Sequence, residues 1–160
     1  MPEIEVLSGH VDNVAAIYNA CHGHVTTTGS EGWGLPIAES MACGLINIVP
    51  DYSGHLDFAN RENSLLINTK LRYAQQNEQY WAYNPKALIG EPDVNHTGIL
   101  MQKAYKEYNM LKNTFGANME KIISRLTWEA AAQRMIDVTC KKIDPYVSGT
   151  YDLHRHEVVK

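Results

Sequence analysis

The sequence has few of the features that mark secreted, membrane-spanning or nucleic-acid-binding proteins. It contains 3 cysteines in 160 residues, an odd number without paired spacing, which argues against a disulfide framework. No apolar run approaches the length of a membrane span, and no charged-then-apolar signal pattern opens the chain. The formal net charge is -4 and Lys and Arg are scattered, so nucleic acid is not an expected partner. We expect a cytoplasmic protein, free or peripheral to a membrane.

What remains is the composition of an ordinary globular chain, with 44% hydrophobic and 20% charged residues. We predict one domain over residues 1–143 and a C-terminal tail over residues 144–160. Cys21, Cys43 and Cys140 lie in apolar surroundings, which predicts reduced thiols in or near the core. The segment 21–24 offers Cys and His side chains but lacks a second cluster at a zinc-site spacing, so no metal site is predicted.

Short apolar runs alternate with amphipathic segments, which predicts an α/β fold. We expect a partial Rossmann-like parallel sheet of about four strands with flanking helices, followed by C-terminal helices. The predicted strands are 4–8, 24–27, 45–49 and 64–68. The predicted helices are 11–21, 35–43, one turn at 56–59, 95–115, 117–126, and a last helix that starts with Thr127 as its N-cap.

Four further predictions concern residues 70–160. Residues 70–91 are polar and aromatic without a clear period, so we expect a long loop packed over the fold. The helix 95–115 is expected to bury Ile99, Met101, Ala104, Tyr105 and Tyr108, and the last helix is expected to bury Ala131, Met135, Val138 and Cys140. Residues 146–160 are expected to form a mobile or partner-dependent tail.

The most informative stretch is 28–44, a glycine-rich turn between a predicted strand and a predicted helix. Gly32 and Gly34 allow unusual backbone angles and the close approach of a ligand, and Pro36 suits a first helical turn. The free N–H groups and dipole of that turn favour an anion, most naturally a diphosphate. Glu31 and Glu39 are separated by seven residues and suit hydroxyl groups at the two ends of such a ligand.

This stretch resembles the donor-binding signature of family 4 retaining glycosyltransferases, also called glycosyl transferases group 1. The family pattern E-G-F-G-L-P-x-x-E-A-M-A-x-G is matched by E-G-W-G-L-P-I-A-E-S-M-A-C-G over residues 31–44. Segments 8–11, 18–21, 51–55 and 127–129 resemble further family segments, so the resemblance covers roughly residues 4–142. It implies the C-terminal, donor-binding domain of the two-domain GT-B fold.

The resemblance also implies a reaction and residue roles. The reaction is transfer of a sugar from a UDP- or GDP-sugar donor to an unknown acceptor (a glycan, a lipid or a protein), with retained configuration and without a metal or cofactor. Glu31 would orient the transferred sugar as the catalytic residue, and Glu39 would hold the ribose. The remaining residues implied to line the donor site are Val11, Ser30, Gly32, Trp33, Gly34, Leu35 and Pro36.

The chain departs from the family pattern at four places. Trp33 replaces the common aromatic residue, and Ser40 replaces the usual Ala. Ile46-Asn47 stands where Pro-Val is common, and segment 21–24 stands where an Asp and an apolar pair are usual. The family's Arg and Lys phosphate contacts and its N-terminal acceptor domain precede the matching region. We therefore expect a donor-domain fragment, a split gene product or a truncated relative. Such a chain should have one unpaired sheet edge, which favours self-association or docking to a missing N-terminal domain.

Several alternatives remain open at this stage. The chain could be a non-catalytic nucleotide-sugar-binding or interaction module that needs a partner chain. A dehydrogenase-type domain is disfavoured, since no G-x-G-x-x-G follows a strand. His55 and Asp57 could contact the donor. An aromatic group could stack on an acceptor, although core packing is the commoner role for such residues; it comprises Tyr73, Tyr80, Trp81 and Tyr83.

Overall fold

A computed structural model describes residues 3–76, 78, 84, 86–143, 150–152 and 157–159. Its internal contacts divide the chain into two compact units, Met1–Glu120 and Lys121–Lys160, which are described separately. The predicted division at residue 143 stays a prediction. Within the described residues, no helix is long and apolar enough to cross a membrane.

The first unit contains a three-stranded parallel sheet in the order β1-β2-β3, formed by β1 (Gly23–Val25), β2 (Ile46–Pro50) and β3 (Ser64–Ile67). Helices α1 (Val14–Asn19) and α2 (Leu35–Ala42) flank it, and a short 3-10 helix covers Gly54–Asp57. Every residue of β2 and β3 is buried, as expected for parallel strands covered on both faces. The predicted α/β class is confirmed.

The predicted first strand, 4–8, is wrong. Residues 3–13 contain no helix or strand, and Ile4 and Val6 are 84% and 81% exposed. The β-branched residues of this segment are typical of a strand, but no strand in the described part of the chain pairs with it. β1 therefore pairs only with β2 there, and an apolar groove of about 380 Å³ between Val25, Ile48 and Tyr105 lies beside it.

The predicted loop over 70–91 is also wrong where the structure describes it. β4 (Thr69–Tyr73) pairs antiparallel with β5 (Leu88–Pro92), from Thr69 opposite Pro92 to Tyr73 opposite Leu88. The strands were missed because they are short and their outward side is charged; Ile89 is buried while Lys70 is exposed. Of the predicted aromatic group, Tyr73 is exposed, and Tyr80, Trp81 and Tyr83 lie outside the described residues.

The helices that follow have different boundaries from those predicted. α3 (Val94–Lys106) has Asp93 as its N-cap and Glu107 as its C-cap. α4 (Tyr108–Ile123) runs without a break through residue 116, where a boundary between two helices was predicted. The predicted apolar face of 95–115 is wrong, because Ile99, Met101 and Tyr105 are exposed. The residues that these two helices bury are Thr97, Leu100, Leu111, Phe115 and Met119.

In the second unit, α5 (Trp128–Ile143) begins as predicted, with the Ala130 N–H donating to Thr127 Oγ1 at 3.1 Å. Its predicted buried stripe is wrong, since Ala131, Met135, Val138 and Cys140 are exposed. Within the predicted tail, β6 (Thr150–Asp152) pairs antiparallel with β7 (Glu157–Val159), and its remaining residues lie outside the described ones.

The core of the first unit lies between α2, β2 and β3, and includes Ile37, Met41, Val49 and Ile67. None of the cysteines belongs to it. Cys21 and Cys140 are exposed and Cys43 is half-buried, so the prediction of core thiols is wrong. Cys21 follows the end of α1, Cys43 is the C-cap residue of α2 and Cys140 lies within α5, so apolar neighbours in sequence did not bury these thiols.

Candidate functional site

The loop between β1 and α2 is held in place by the hairpin and by a hydrogen bond within the loop itself. The Gly90 N–H, in the hairpin strand β5, donates to the Gly29 carbonyl at 2.7 Å, and Thr28 Oγ1 donates to the Ser30 carbonyl at 3.0 Å. A Cβ at Gly29 would stand 3.0 Å from the Gly90 oxygen. The hairpin that the sequence did not predict therefore supports the predicted ligand loop.

The start of α2 has the geometry expected of an anion-binding turn. Gly34 caps the helix in the left-handed conformation with φ +85°, and its carbonyl accepts from the Ile37 and Ala38 N–H groups. Pro36 occupies the first turn, as predicted. Within the described residues, the N–H groups of Gly32, Trp33, Gly34 and Leu35 donate to no protein acceptor, and the space beside Gly32 is open. Such a row of free donors at a helix start attracts negative charge.

Glu31 is fixed through its backbone by the loop that follows β2. Its N–H donates to Ser53 Oγ at 2.6 Å. Its carbonyl accepts from Ser53 Oγ at 2.7 Å and from the Gly54 N–H at 3.1 Å. The Glu31 carboxylate, by contrast, is in a half-buried residue and makes no hydrogen bond or ion pair within the described part of the chain. The backbone is ordered while the acidic group remains available to a ligand.

Trp33, the aromatic residue of the signature, packs on the core. Its ring lies 5.1 Å from the ring of Phe58, which is buried, while Trp33 itself is partly exposed. Trp33 thereby links the loop to the core through a favourable aromatic contact.

Glu39 lies in a different environment from Glu31. It is exposed on α2, and its Oε2 accepts a hydrogen bond from the Tyr18 hydroxyl of α1 at 3.3 Å. Partial burial and then the Glu39 carboxylate raise the pKa of the Tyr18 hydroxyl. The first carboxylate is thus unpartnered, whereas the second already has a hydroxyl donor of the kind a ribose would offer.

The other predicted positions lie in different environments. Val11 is exposed in the irregular segment before α1. His55 is fully buried, and its Nε2–H donates to the Pro50 carbonyl at 2.8 Å. The expectation that His55 contacts a donor is therefore wrong. The His55 side chain packs against Gly34, since a Cβ added to Gly34 would stand 3.1 Å from His55 Cβ. Asp57 is exposed.

Two of the departures from the family pattern contact each other in the core. Ser40 Oγ donates to Asn47 Oδ1 at 2.6 Å, and both residues are fully buried. Asn47 Oδ1 also lies 3.0 Å from His24 Nδ1, and Asn47 Nδ2 donates to the Leu45 carbonyl at 3.1 Å. This polar network joins α2 to β1 and β2.

The first part of the chain, which contains the loop, is poor in cationic side chains. Residues 1–60 contain no Lys or Arg. The next residue, Arg61, forms an ion pair with Asp51 at 2.8 Å. No group of three or more His, Cys, Asp or Glu side chains could hold a metal ion within the described ranges. The positive potential that the first sixty residues offer an anion therefore comes from backbone N–H groups and the helix dipole.

Sequence reasoning missed Ser53, Tyr18 and Gly90 as parts of this site. Tyr18 and Gly90 act through tertiary contacts that have no short-range signal. Ser53 lies in segment 51–55, which resembles a segment of the family, but its hydrogen bonds to Glu31 could not be read from that resemblance.

Comparison with known proteins adds one finding. Residues 4–80 match the sequence model of the family described as glycosyl transferases group 1. The curated proteins include no match to the chain. The part of the chain that carries β1, the glycine-rich loop, α2, β2 and β3 is therefore similar to a glycosyl transferase, which supports a function in glycosyl transfer.

Proposed function

We propose that the loop and the start of α2 bind a nucleoside-diphosphate sugar, and that the protein takes part in retaining glycosyl transfer as a donor-binding domain of the GT-B type. The observation that carries this proposal is the row of free N–H groups from Gly32 to Leu35 next to the unpartnered carboxylate of Glu31. An anion and a neighbouring cluster of hydroxyl groups satisfy both at once.

The chemistry divides between the two ends of the ligand. The helix start takes the diphosphate, whose charge grows as the bond to the sugar breaks, so fixed dipoles there favour the transition state. Glu31 accepts hydrogen bonds from sugar hydroxyls and orients the anomeric carbon. Glu39 accepts from the ribose, displacing the Tyr18 hydroxyl. The family resemblance places Val11 in the segment that contacts the nucleobase and includes Ser30 among the residues that line the donor site.

A second candidate follows from the lack of Lys and Arg in residues 1–60. Phosphate sites of transferases use cations to stabilise the leaving diphosphate. On that ground the chain would be a nucleotide-sugar-binding module that becomes active only with a partner chain that supplies cations and the acceptor site.

Binding and turnover separate these candidates. Saturation-transfer NMR and calorimetry with UDP-glucose, GDP-mannose, UDP and GDP measure binding, and release of free nucleoside diphosphate measures turnover. The transferase predicts both binding and slow donor hydrolysis, whereas the binding module predicts binding alone. Failure of all four ligands to bind at millimolar concentration would contradict both.

The matched control is Glu120→Gln, which removes an exposed carboxylate from α4, outside the site. It should leave the binding of all four ligands unchanged.

A further inference from the structure

We infer that Ser53 is a positioning residue for Glu31 and thereby sets which sugar the site accepts. The inference rests on the proposed function for its substrate, but its structural part concerns only Ser53 and Glu31. Ser53 contacts no reacting atom; it acts through the backbone of Glu31.

The backbone of Ser53 is unusual. Its φ of 99° and ψ of -177° lie in a region that glycine adopts and other residues avoid. Ser53 is the one non-glycine residue with a positive φ in the described part of the chain. A serine that occupies a glycine conformation needs a compensating interaction, and strain of this kind concentrates at functional sites.

The hydroxyl supplies that interaction. Ser53 Oγ accepts from the Glu31 N–H at 2.6 Å and donates to the Glu31 carbonyl at 2.7 Å. One hydroxyl therefore forms hydrogen bonds with both backbone polar groups of Glu31. A glycine at position 53 would take the same backbone angles without strain but would leave the Glu31 N–H unpaired.

The two loops are also in direct contact at the next residue. A Cβ on Gly54 would stand 2.2 Å from the Gly32 oxygen, and the Gly54 N–H donates to the Glu31 carbonyl. The loop after β2 therefore lies flat against residues 31–32. Ser53 and Gly54 together fix the backbone from which the Glu31 carboxylate extends.

A fixed Glu31 backbone matters because a carboxylate selects between sugars only when its oxygens are held at the correct position. A sugar with one hydroxyl inverted loses a hydrogen bond to a fixed acceptor, whereas a mobile acceptor follows the hydroxyl. Loss of the Ser53 hydroxyl should thus reduce discrimination between sugars and leave nucleotide affinity largely intact.

The test compares Ser53→Gly, which removes both the strain and the hydroxyl, with Ser53→Ala, which removes the hydroxyl alone. Affinities are measured for sugars that differ in one hydroxyl configuration: UDP-glucose against UDP-galactose, and GDP-mannose against GDP-glucose. Both variants should narrow the affinity ratio about fivefold to tenfold, the effect of one neutral hydrogen bond. Their affinity for the bare nucleoside diphosphate should stay within about twofold.

Thermal stability separates positioning from a merely structural role. Ser53→Gly should lose discrimination but melt at a higher temperature than Ser53→Ala, because glycine adopts the positive φ of this position without strain. Introducing Ser53→Gly into Glu31→Ala should change the sugar ratio no further. An unchanged sugar ratio in Ser53→Gly would overturn the inference.

Hydrogen exchange tests the contact whether or not a nucleotide binds. Exchange of the Glu31 amide should accelerate at least about tenfold in Ser53→Gly, while the Ile48 amide in β2 should be unaffected. If no nucleotide sugar binds the native chain, the proposed function fails and this readout still decides the contact. An unaltered Glu31 exchange rate would show that Ser53 does not hold Glu31.

Discussion

At the residue scale, the two carboxylates of the signature differ in what surrounds them. Glu31 has an ordered backbone and a free acidic group, whereas Glu39 is exposed and accepts from Tyr18. The sequence predicts both as hydroxyl acceptors but cannot show that one of them already has a donor, because Tyr18 lies 21 residues earlier in the chain.

The two glycines of the loop should respond differently to alanine. In Gly34→Ala, the new Cβ would stand 3.0 Å from Ile37 Cδ1 in a left-handed backbone, so we expect a loss of about 1–3 kcal/mol of stability. Gly32→Ala meets no atom within 4 Å and should change stability by less than about 0.5 kcal/mol, but should weaken nucleotide binding. Urea denaturation measures the first effect and calorimetry the second. Equal loss of stability in both variants would refute this assignment.

At the scale of single elements, α2 is tied to the sheet by the network of Ser40, Asn47 and His24. The family resemblance flagged Ser40 and Asn47 as separate departures from its pattern. The structure shows that they are partners, which no reading of one sequence in isolation could establish.

A double-mutant cycle tests this partnership. Ser40→Ala and Asn47→Val should each cost about 1–3 kcal/mol, since each leaves a buried polar group without part of its bonding. The double variant should cost less than the sum of the two by about 1 kcal/mol or more, because both partners are then apolar. Urea denaturation of the four proteins gives the coupling, and strict additivity would argue against it.

The hairpin that supports the loop contains a strong ion pair. Arg72 donates to both Glu78 carboxylate oxygens, at 2.6 and 2.9 Å. The Arg72 hydrogen bond first, and then the Gln75 N–H, lower the pKa of Glu78 to about 2. A lowered carboxyl pKa stabilises the fold above the ordinary value of 4.5, and this contribution is lost as the pH falls towards 2.

Glu78→Gln should therefore melt below the native chain at pH 6, and the difference should shrink between pH 4.5 and pH 2. Calorimetric scans of both proteins across that range check the prediction. A melting difference that stays constant with pH would show that the ion pair does not supply it.

The elements that were predictable from the sequence are those with strong local signals. Strong local signals mark the turn at Gly34, Pro36 in the first helical turn and the buried apolar run of β2. The structure places each of these as predicted. The hairpin strands β4 and β5 lacked such a signal because their apolar side is only a few residues long. The break at Glu107 and the conformation of Ser53 depend on tertiary contacts.

At the scale of the whole molecule, the distribution of charge sets the expected behaviour. The first sixty residues carry no Lys or Arg, so the proposed site would hold a diphosphate mainly through backbone N–H groups and the helix dipole. Salt screens the effect of the dipole, and the effect falls off within the first turn. We expect affinity in the range of about 0.1–1 mM for the isolated chain, weaker than a cation-assisted site. A ligand at tenfold excess over its Kd should add about 1.4 kcal/mol of stability, measurable as a rise in Tm.

The most direct test of the account measures donor binding in three proteins: the native chain, Glu39→Ala and Glu31→Ala. Calorimetry with a nucleotide sugar and its bare nucleoside diphosphate should show that Glu39→Ala weakens both ligands about tenfold. Glu31→Ala should weaken the sugar nucleotide alone and abolish discrimination between sugars. Nucleotide-sugar binding that is indifferent to both substitutions would contradict the assignment of this loop as a donor site.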